Sequence, residues 1–221
     1  MSVWAVLVAA GRGERLGLDR PKSFAPLRGR PLLAESLARI EASEWVDGIV
    51  VVAPEGWEEP AILLAEELGC GKVAACITGG NTRGKSVAGG VAEVPDDALF
   101  MLVHDAARPV LPDQVIERVL GPLSEGWDGA VPGFAVSDTV KRVEHEQVVE
   151  TVSRDGLFAV QTPQAFVASV LREALQGDLS SASDCASLVE ARGGRVKVVE
   201  GDPRLLKVTT AADLVLVESL L

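Results

Sequence analysis

Strand-like and helix-like stretches alternate along most of the chain, and this alternation constrains the fold more than any other feature of the sequence. Residues 48–53 form a continuous apolar run rich in isoleucine and valine, which is typical of a strand covered on both faces. Residues 31–43 carry leucine and isoleucine at helical spacing. Because strands and helices take turns, we expect an α/β fold with a mostly parallel sheet and helices on both of its faces.

The predicted elements run from a first strand to a closing helix. Strands are predicted at residues 3–8, 48–53, 72–78, 99–104, 139–143, 148–152, 157–161 and 196–200. Helices are predicted at residues 31–43, 57–68, 83–94, 112–123, 165–175, 184–191 and 210–220. No internal repeat or linker is evident, so the sequence indicates one domain over residues 1–221 with a protruding arm at about 137–155.

A glycine-rich segment that carries several cations follows the first predicted strand, at residues 9–24. Its glycines allow tight bends and close approach to a ligand, and successive N–H groups in such a loop form an anion-binding concavity. The glycines are Gly11, Gly13 and Gly17, and the cations include Arg12, Arg15 and Lys22. Leu16 stands where the dinucleotide-binding fingerprint needs its third glycine. The segment is therefore predicted to wrap a polyphosphate, with a surface turn of scattered charge as the alternative.

Two further segments follow predicted strands and are expected at the same edge of the sheet. They are Gly79-Gly80, after the strand at 72–78, and Asp105, after the strand at 99–104. Ligands of open parallel sheets bind outside the carboxyl ends of the strands. The convergence of these segments with the glycine segment predicts a single ligand site.

The run from Gly79 to Ser86 also matches the Walker A pattern, which makes a P-loop ATPase or GTPase the rival interpretation. Residues 100–105 resemble the strand and aspartate that hold magnesium in those enzymes. Two observations oppose this interpretation. It leaves the N-terminal glycine segment without a role, and Gly89 and Gly90 interrupt the helix that would follow the phosphates, each at a cost of roughly 1 kcal/mol.

The sequence around Asp105 offers a metal ligand and a phosphate-binding residue. Asp105 suits magnesium, which takes few protein carboxylates and keeps phosphate and water oxygens. Arg108 could grip a phosphate through its planar guanidinium group. The alternative is an aspartate that caps the next helix with Arg108 as its surface partner. His104 is expected to be packed or hydrogen-bonded rather than catalytic.

The arm at 137–155 is highly charged and reads as a hairpin around residues 144–147. It has too few apolar residues for a core of its own, and an isolated hairpin is marginal in water. We therefore expect it to pack on something else, such as a second subunit; a solvated surface hairpin is the alternative.

Composition narrows the classes of partner. The formal net charge of −11 argues against nucleic-acid binding, while a small anionic ligand remains compatible with local fields in a cleft. There is no apolar run of membrane-spanning length and no signal-peptide pattern. The three cysteines match neither a disulfide framework nor a zinc site. The expectation is a cytoplasmic protein with reduced thiols.

With these motifs in view, the chain resembles the 2-C-methyl-D-erythritol 4-phosphate cytidylyltransferase family, nucleotidyltransferases of the non-mevalonate isoprenoid pathway. The resemblance extends over nearly the whole chain in family order. The matching runs begin at Ala9, Pro21, Gly79, His104, Asp138, Arg154, Thr162, Ser183 and Lys207. The His104–Pro109 run together with Thr162-Pro163-Gln164 is specific, whereas the first glycine motif is shared by many sugar nucleotidyltransferases. Ser23 and Cys185 depart from the usual family residues.

The resemblance implies a Rossmann-like mixed sheet, a homodimer joined by the arm, and transfer of CMP from CTP to a sugar-alcohol phosphate with Mg²⁺ or another divalent cation. Arg15, Lys22 and Lys207 would be catalytic. Nucleotide binding would involve Ala9, Ala10, Gly11, Gly13, Gly80, Arg83, Ser86, Asp105 and Ala106. The sugar phosphate would contact Arg108, Asp138, Thr139, Arg154, Thr162, Ser183 and Lys207, and Asp105 would hold the metal. A ribitol 5-phosphate cytidylyltransferase shares much of this pattern and is the nearest alternative.

Overall fold

Twelve strands and seven α-helices are present in the computed structural model, which describes residues 2–11, 13, 16–179 and 182–221. The strands are β1 Val3–Val8, β2 Pro26–Leu27, β3 Arg30–Pro31, β4 Gly48–Ala53, β5 Val73–Thr78, β6 Phe100–Asp105, β7 Gly129–Ala135, β8 Val140–Glu144, β9 Gln147–Val152, β10 Phe158–Val160, β11 Gln164–Val167 and β12 Val196–Glu200. The helices are α1 Leu32–Ala42, α2 Glu58–Glu67, α3 Arg83–Ala92, α4 Asp113–Ser124, α5 Ala168–Ala174, α6 Cys185–Glu190 and α7 Ala211–Leu220.

Eight of the strands form one mixed sheet in the order β5–β4–β1–β6–β11–β7–β10, with β12 also paired to β7. The first four strands in this order run parallel to one another. β11 is antiparallel to both of its neighbours, β6 and β7, and β12 is parallel to β7. The sheet is therefore mostly parallel, as the alternation of elements predicts, with antiparallel strands in its second half.

Helices cover both faces of this sheet. Along β4, Ile49 and Val51 join a core with α1, α2 and α4, whereas Val50 and Val52 join a second core with α3, α5 and α6. This division follows from the two-residue period of a strand. Each fully buried aliphatic side chain contributes about 1.5–3 kcal/mol, so a strand buried on both faces anchors both layers. The predicted α/β class is thus confirmed.

The structure differs from the prediction at one predicted helix and at strands that were not predicted, which are β7 and the short pair β2 and β3. The helix predicted at 165–175 begins as strand β11, because Ala165, Phe166 and Val167 fill the space between β6 and β7, and the helix starts only at Ala168. Strand β7 is absent from the prediction. Its sequence contains Pro132 and two glycines, which normally argue against a strand inside a sheet.

The arm is a separate two-stranded sheet formed by β8 and β9, which confirms the predicted hairpin. Val143 and Val148 are each 54% exposed, so the arm buries little apolar surface within its own chain. That the chain is one domain remains a prediction. Within the part of the chain that the structure describes, no helix is both long and apolar enough to cross a membrane.

Candidate active site

Three loops meet where strands β1, β5 and β6 end, at the carboxyl edge of the parallel strands. The strand hydrogen-bond pattern continues into these loops, so each loop is held beside its neighbour. The connecting backbone bonds run from Ala9 N–H to Val52 C=O (2.8 Å), from Gly79 N–H to Ala53 C=O (2.8 Å) and from Ala106 N–H to Val8 C=O (3.0 Å). The structure therefore brings together the three segments that the sequence predicted at one edge.

Gly79 is the point of closest approach between the loops after β1 and β5. A Cβ atom at this position would lie 2.2 Å from the Cβ of Ala10. Contact at that distance is forbidden, so only glycine lets the two loops touch here. The close approach places Gly80 and the start of α3 against the glycine segment.

A cavity of about 420 Å³ opens between these loops, within the size range of small-molecule sites. Every residue predicted for nucleotide binding contributes to its lining except Gly13, and both Lys22 and Lys207 also contribute. The lining consists of Val8, Ala9, Ala10, Gly11, Lys22, Ser23, Gly80, Asn81, Thr82, Arg83, Ser86, Asp105, Ala106, Ala107 and Lys207. Asn81 and Thr82 were not predicted, although they lie inside the Gly79–Ser86 motif. Their position between two predicted residues is the signal that could have identified them.

Asp105 is the electrostatic centre of the cavity. The Nζ of Lys207 lies 2.6 Å from one carboxylate oxygen, and the Nη2 of Arg83 lies 3.0 Å from the other. Burial acts to raise the pKa of Asp105, but Arg83 and Lys207 outweigh it and hold the pKa well below the usual range. Asp105 is therefore an ionised carboxylate, 6% exposed, that faces two cations across the cavity wall.

Lys207 reaches Asp105 because buried residues on either side fix its segment. Leu205 and Val208 are fully buried. The N–H of Val208 donates to the carbonyl of Ala107 at 2.8 Å, and the guanidinium of Arg108 donates to the carbonyl of Leu205. Lys207 is thus presented to the cavity by a segment that is tied to the loop after β6.

His104 and Thr162 lie beneath this loop, in the interior. The Nε2 of His104 is 3.0 Å from the carbonyl oxygen of Arg108, and its Nδ1 is 3.1 Å from the hydroxyl of Thr162. A carbonyl only accepts, so Nε2 carries the hydrogen and Nδ1 accepts from Thr162. The same hydroxyl accepts the N–H of Asp105 at 3.0 Å. His104 is a buried hydrogen-bonded residue, as predicted.

The folding stability is expected to depend on pH through His104. Burial lowers the pKa of His104 from 6.5 to about 4, so the unfolded chain takes up a proton between these values that the folded chain does not. The contribution of His104 to the free energy of unfolding is fully present above pH 6.5 and is lost as the pH falls. The loss amounts to about 2 kcal/mol between pH 7 and pH 5. Denaturant unfolding at both pH values measures this loss. His104→Gln should abolish most of the difference and His145→Gln should retain it; an unchanged difference in His104→Gln would contradict the assignment.

Gly13 supports Lys22 from outside the cavity lining. Gly13 has a φ of +73°, and a Cβ atom there would lie 2.6 Å from the Cβ of Lys22. Gly17 has a similar φ of +64°, but a Cβ atom there would meet no other atom within 4 Å. The two glycines therefore share a backbone requirement, and only Gly13 is also crowded by Lys22.

Gly13→Ala is expected to lower kcat/KM at least tenfold, because the methyl group must displace the Lys22 main chain from the cavity. Gly17→Ala carries the same left-handed strain without that contact, and it should lose stability of about 1 kcal/mol while keeping near-native kinetics. Steady-state kinetics of both variants with both substrates measure the difference. Equal kinetic losses would show that backbone strain, not displacement of Lys22, is responsible.

The remaining predicted residues lie away from the cavity. Ser183 is exposed and does not contribute to the cavity lining. Asp138 and Thr139 lie at the start of the arm, before β8, and Arg154 lies at its end, after β9, where its guanidinium donates to the carbonyl of Ser137. Within one chain the structure therefore does not bring these residues to the cavity. The predicted Arg15 lies outside the described residues, as does Arg12.

The carboxyl edge of the parallel strands carries a glycine loop, cations and one buried carboxylate around a ligand-sized cavity. This arrangement defines a nucleotide-binding enzyme of the nucleotidyltransferase class. The chain matches the family model of 2-C-methyl-D-erythritol 4-phosphate cytidylyltransferase (IspD) over residues 3–221. It belongs to that family. The P-loop interpretation is therefore wrong, and Lys85, its phosphate-binding residue, is exposed and outside the cavity lining.

Similar proteins support this assignment along the full chain. A 2-C-methyl-D-erythritol 4-phosphate cytidylyltransferase from Nocardia farcinica is 44% identical over all of this chain and 94% of its own length. The crystal structure of the enzyme from Thermus thermophilus is 35% identical, with a TM-score of 0.78 and coverage of 97% and 96% of the two chains. The Francisella tularensis structure is 25% identical, with a TM-score of 0.85 and full coverage of both chains.

Proposed function

We propose that the chain transfers CMP from CTP to 2-C-methyl-D-erythritol 4-phosphate, giving 4-diphosphocytidyl-2-C-methyl-D-erythritol and pyrophosphate. Family membership over residues 3–221 carries this proposal. The cavity supports it independently, because Lys22, Lys207 and Asp105 all face one space of suitable size for a nucleotide.

The reaction is an in-line displacement at the α-phosphorus of CTP. A phosphate oxygen of the sugar-alcohol phosphate forms the new P–O bond, and the bond to the β-phosphate breaks as pyrophosphate leaves with its electron pair. The attacking phosphate is already an anion near neutral pH, so no general base is required. The barrier lies in charge repulsion and positioning, and these are what placed cations relieve.

Three cations are proposed to act on the reacting groups. Lys22 lies on the glycine-segment side of the cavity and Lys207 on the opposite loop, beside Asp105. The triphosphate would lie along the glycine segment, against Lys22 and Arg15, and the attacking phosphate would lie near Lys207. The role of Arg15 rests on the family resemblance. Ala9, Ala10, Gly80 and Ser86 would contact the cytosine and ribose.

The chemistry of the site fits a magnesium ion held by Asp105. Magnesium takes one or two carboxylates and completes its shell with phosphate and water oxygens. Asp105 is ionised and lines the cavity; its Oδ1 faces both Nε and Nη2 of Arg83, whereas its Oδ2 accepts from Lys207 and has a second lone pair to offer a metal. When bound, the metal would neutralise charge on the triphosphate, while Arg83 and Lys207 hold the carboxylate in place.

The sugar-alcohol phosphate is proposed to bind between Arg108 and the arm of a second subunit. The Nε of Arg108 is buried and has no hydrogen-bond partner among the described residues, which leaves a donor for an anion. Asp138, Thr139 and Arg154 lie at the base of the arm, outside the cavity of their own chain. Their use therefore requires a homodimer in which each arm completes the partner's site.

Mixing two inactive variants tests this exchange of arms. Arg83→Ala damages the cavity and Arg154→Ala damages the arm, so each homodimer should be inactive. Random mixed dimers contain one intact site in half of the molecules, which predicts recovery of about a quarter of native activity. Sedimentation should give a dimer throughout. A stable, active monomer, or no recovery after subunit exchange, would contradict the arrangement.

The function is tested by measuring pyrophosphate release from CTP, magnesium and 2-C-methyl-D-erythritol 4-phosphate. Parallel reactions replace the sugar phosphate with ribitol 5-phosphate, or CTP with UTP or ATP. We expect release with CTP and the methylerythritol phosphate only. Preferential use of ribitol 5-phosphate would instead establish the alternative cytidylyltransferase.

A further inference from the structure

We propose that His104 and Thr162 form a positioning pair that fixes Asp105 and Arg108 relative to each other. The inference rests on the proposed function, in which Asp105 serves the nucleotide and its metal, and Arg108 serves the sugar phosphate. The pair would thus couple the two halves of the site from beneath. Neither residue is proposed to touch a substrate.

The hydrogen bonds form a continuous chain with one end at each half of the site. Asp105 N–H donates to the Thr162 hydroxyl at 3.0 Å, and that hydroxyl donates to Nδ1 of His104 at 3.1 Å. Nε2–H of His104 then donates to the carbonyl of Arg108 at 3.0 Å. Each donor in the chain has one acceptor, so only one tautomer of His104 satisfies all three bonds.

Burial separates the pair from the substrates. His104 is 1% exposed and Thr162 is 4% exposed, and neither contributes to the cavity lining. The Thr162 hydroxyl uses its only hydrogen for His104 and accepts from Asp105. The role proposed here for Thr162 therefore differs from the substrate contact implied by the family resemblance.

The pair adds to the main-chain bonds of the loop, in which the N–H of Arg108 donates to the carbonyl of Asp105 at 2.9 Å, whereas the ion pairs of Asp105 act only on its carboxylate. Arg83 and Lys207 hold the carboxylate, but the backbone of Asp105 is held from below by Thr162. A buried donor that loses its acceptor is costly, so the loop shifts to recover a partner. A shift of about 1 Å at a binding group can change rates up to 10²-fold.

Two variants of His104 separate the two ends of the chain. His104→Gln can keep an amide N–H near the Nε2 position, so it retains the bond to Arg108 and loses the acceptor for Thr162. His104→Asn can keep an oxygen acceptor near the Nδ1 position, so it retains the bond to Thr162 and leaves the Arg108 carbonyl unpaired. We therefore expect His104→Gln to weaken binding of the nucleotide and His104→Asn to weaken binding of the sugar phosphate.

Variants of Thr162 provide a conservative rescue. Thr162→Val removes the hydroxyl with little change of shape, and Thr162→Ser restores it. Ser43→Ala is the matched control, because the buried Ser43 hydroxyl also accepts a backbone N–H, from Trp45 at 3.3 Å. Ser43 follows α1 and precedes β4, at the opposite edge of the sheet from the cavity.

The unmodified protein is assayed first, because loss of the proposed function would appear there as absence of pyrophosphate release. In the variants, calorimetry measures the Kd of CTP with magnesium before any sugar phosphate is added, and kinetics measure both KM values. We expect His104→Gln and Thr162→Val to raise the Kd and KM for CTP about tenfold, with the KM for the sugar phosphate within about twofold. His104→Asn should do the reverse, and Thr162→Ser and Ser43→Ala should match the native protein.

The same kinetic pattern in both His104 variants, or losses of thermal stability with native Kd and KM values, would overturn the proposal and leave a purely structural role. Should Thr162→Val fail to fold, the contrast between the two His104 variants decides the outcome alone.

Discussion

Asp105→Asn is expected to lower kcat/KM by about a thousandfold. The substitution keeps the size of the side chain and removes its charge. Arg83 and Lys207 would then lose the carboxylate that both of them contact, at 3.0 Å and 2.6 Å. The side chains of Arg83 and Lys207 are 24% and 39% exposed, so water compensates part of the lost attraction and the loss of stability should stay below the roughly 3–5 kcal/mol of a fully buried pair. The proposed magnesium ligand would be lost at the same time.

Steady-state kinetics with magnesium varied measure this effect. We expect a lower kcat and a higher apparent requirement for magnesium, because the carboxylate would act in both binding and charge neutralisation. Asp47→Asn is the matched control, since Asp47 accepts the N–H of Val3 at 2.8 Å at the far end of the sheet. That variant should lose stability and keep native kinetics. A kcat/KM within tenfold of native in Asp105→Asn would remove Asp105 from the centre of the site.

A strand of the sheet could be predicted where its burial requires a recognisable pattern of apolar residues. β4 was predicted with its bounds, because both of its faces are buried and its residues are uniformly apolar. β11 was not predicted, because a short apolar run such as Ala165–Val167 can equally be the first turn of a buried helix. Pairing with β6 and β7 makes this segment a strand, and that pairing is a tertiary contact that the local sequence does not reveal.

The site was predictable where a residue follows a strand directly. Gly80 and Asp105 lie at the ends of β5 and β6, so topology alone brings them together. Lys207 could be assigned only by resemblance, because its approach to Asp105 depends on the burial of Leu205 and Val208. The partners of His104 were likewise beyond prediction, since Thr162 is separated from it by 58 residues.

Lys22→Ala is expected to lower kcat by at least about 10²-fold, because a cation placed against a phosphate acts mainly when charge builds up in the transition state. Lys22 lines the cavity next to Gly11 and packs closely on Gly13. The variant removes charge and packing together. Lys22→Met keeps most of the side-chain volume without the charge, so it isolates the electrostatic part.

Both Lys22 variants should lose activity by similar factors if charge is the cause. Lys85→Ala is the matched control: Lys85 is exposed on α3, outside the cavity lining, and would be essential only in a P-loop enzyme. We expect native kinetics for it. Near-native turnover in Lys22→Met with a loss in Lys22→Ala would mean that Lys22 shapes the glycine segment instead. Catalytic charge would then have to come from Lys207 and the metal, and the displacement of pyrophosphate would depend on the opposite wall of the cavity.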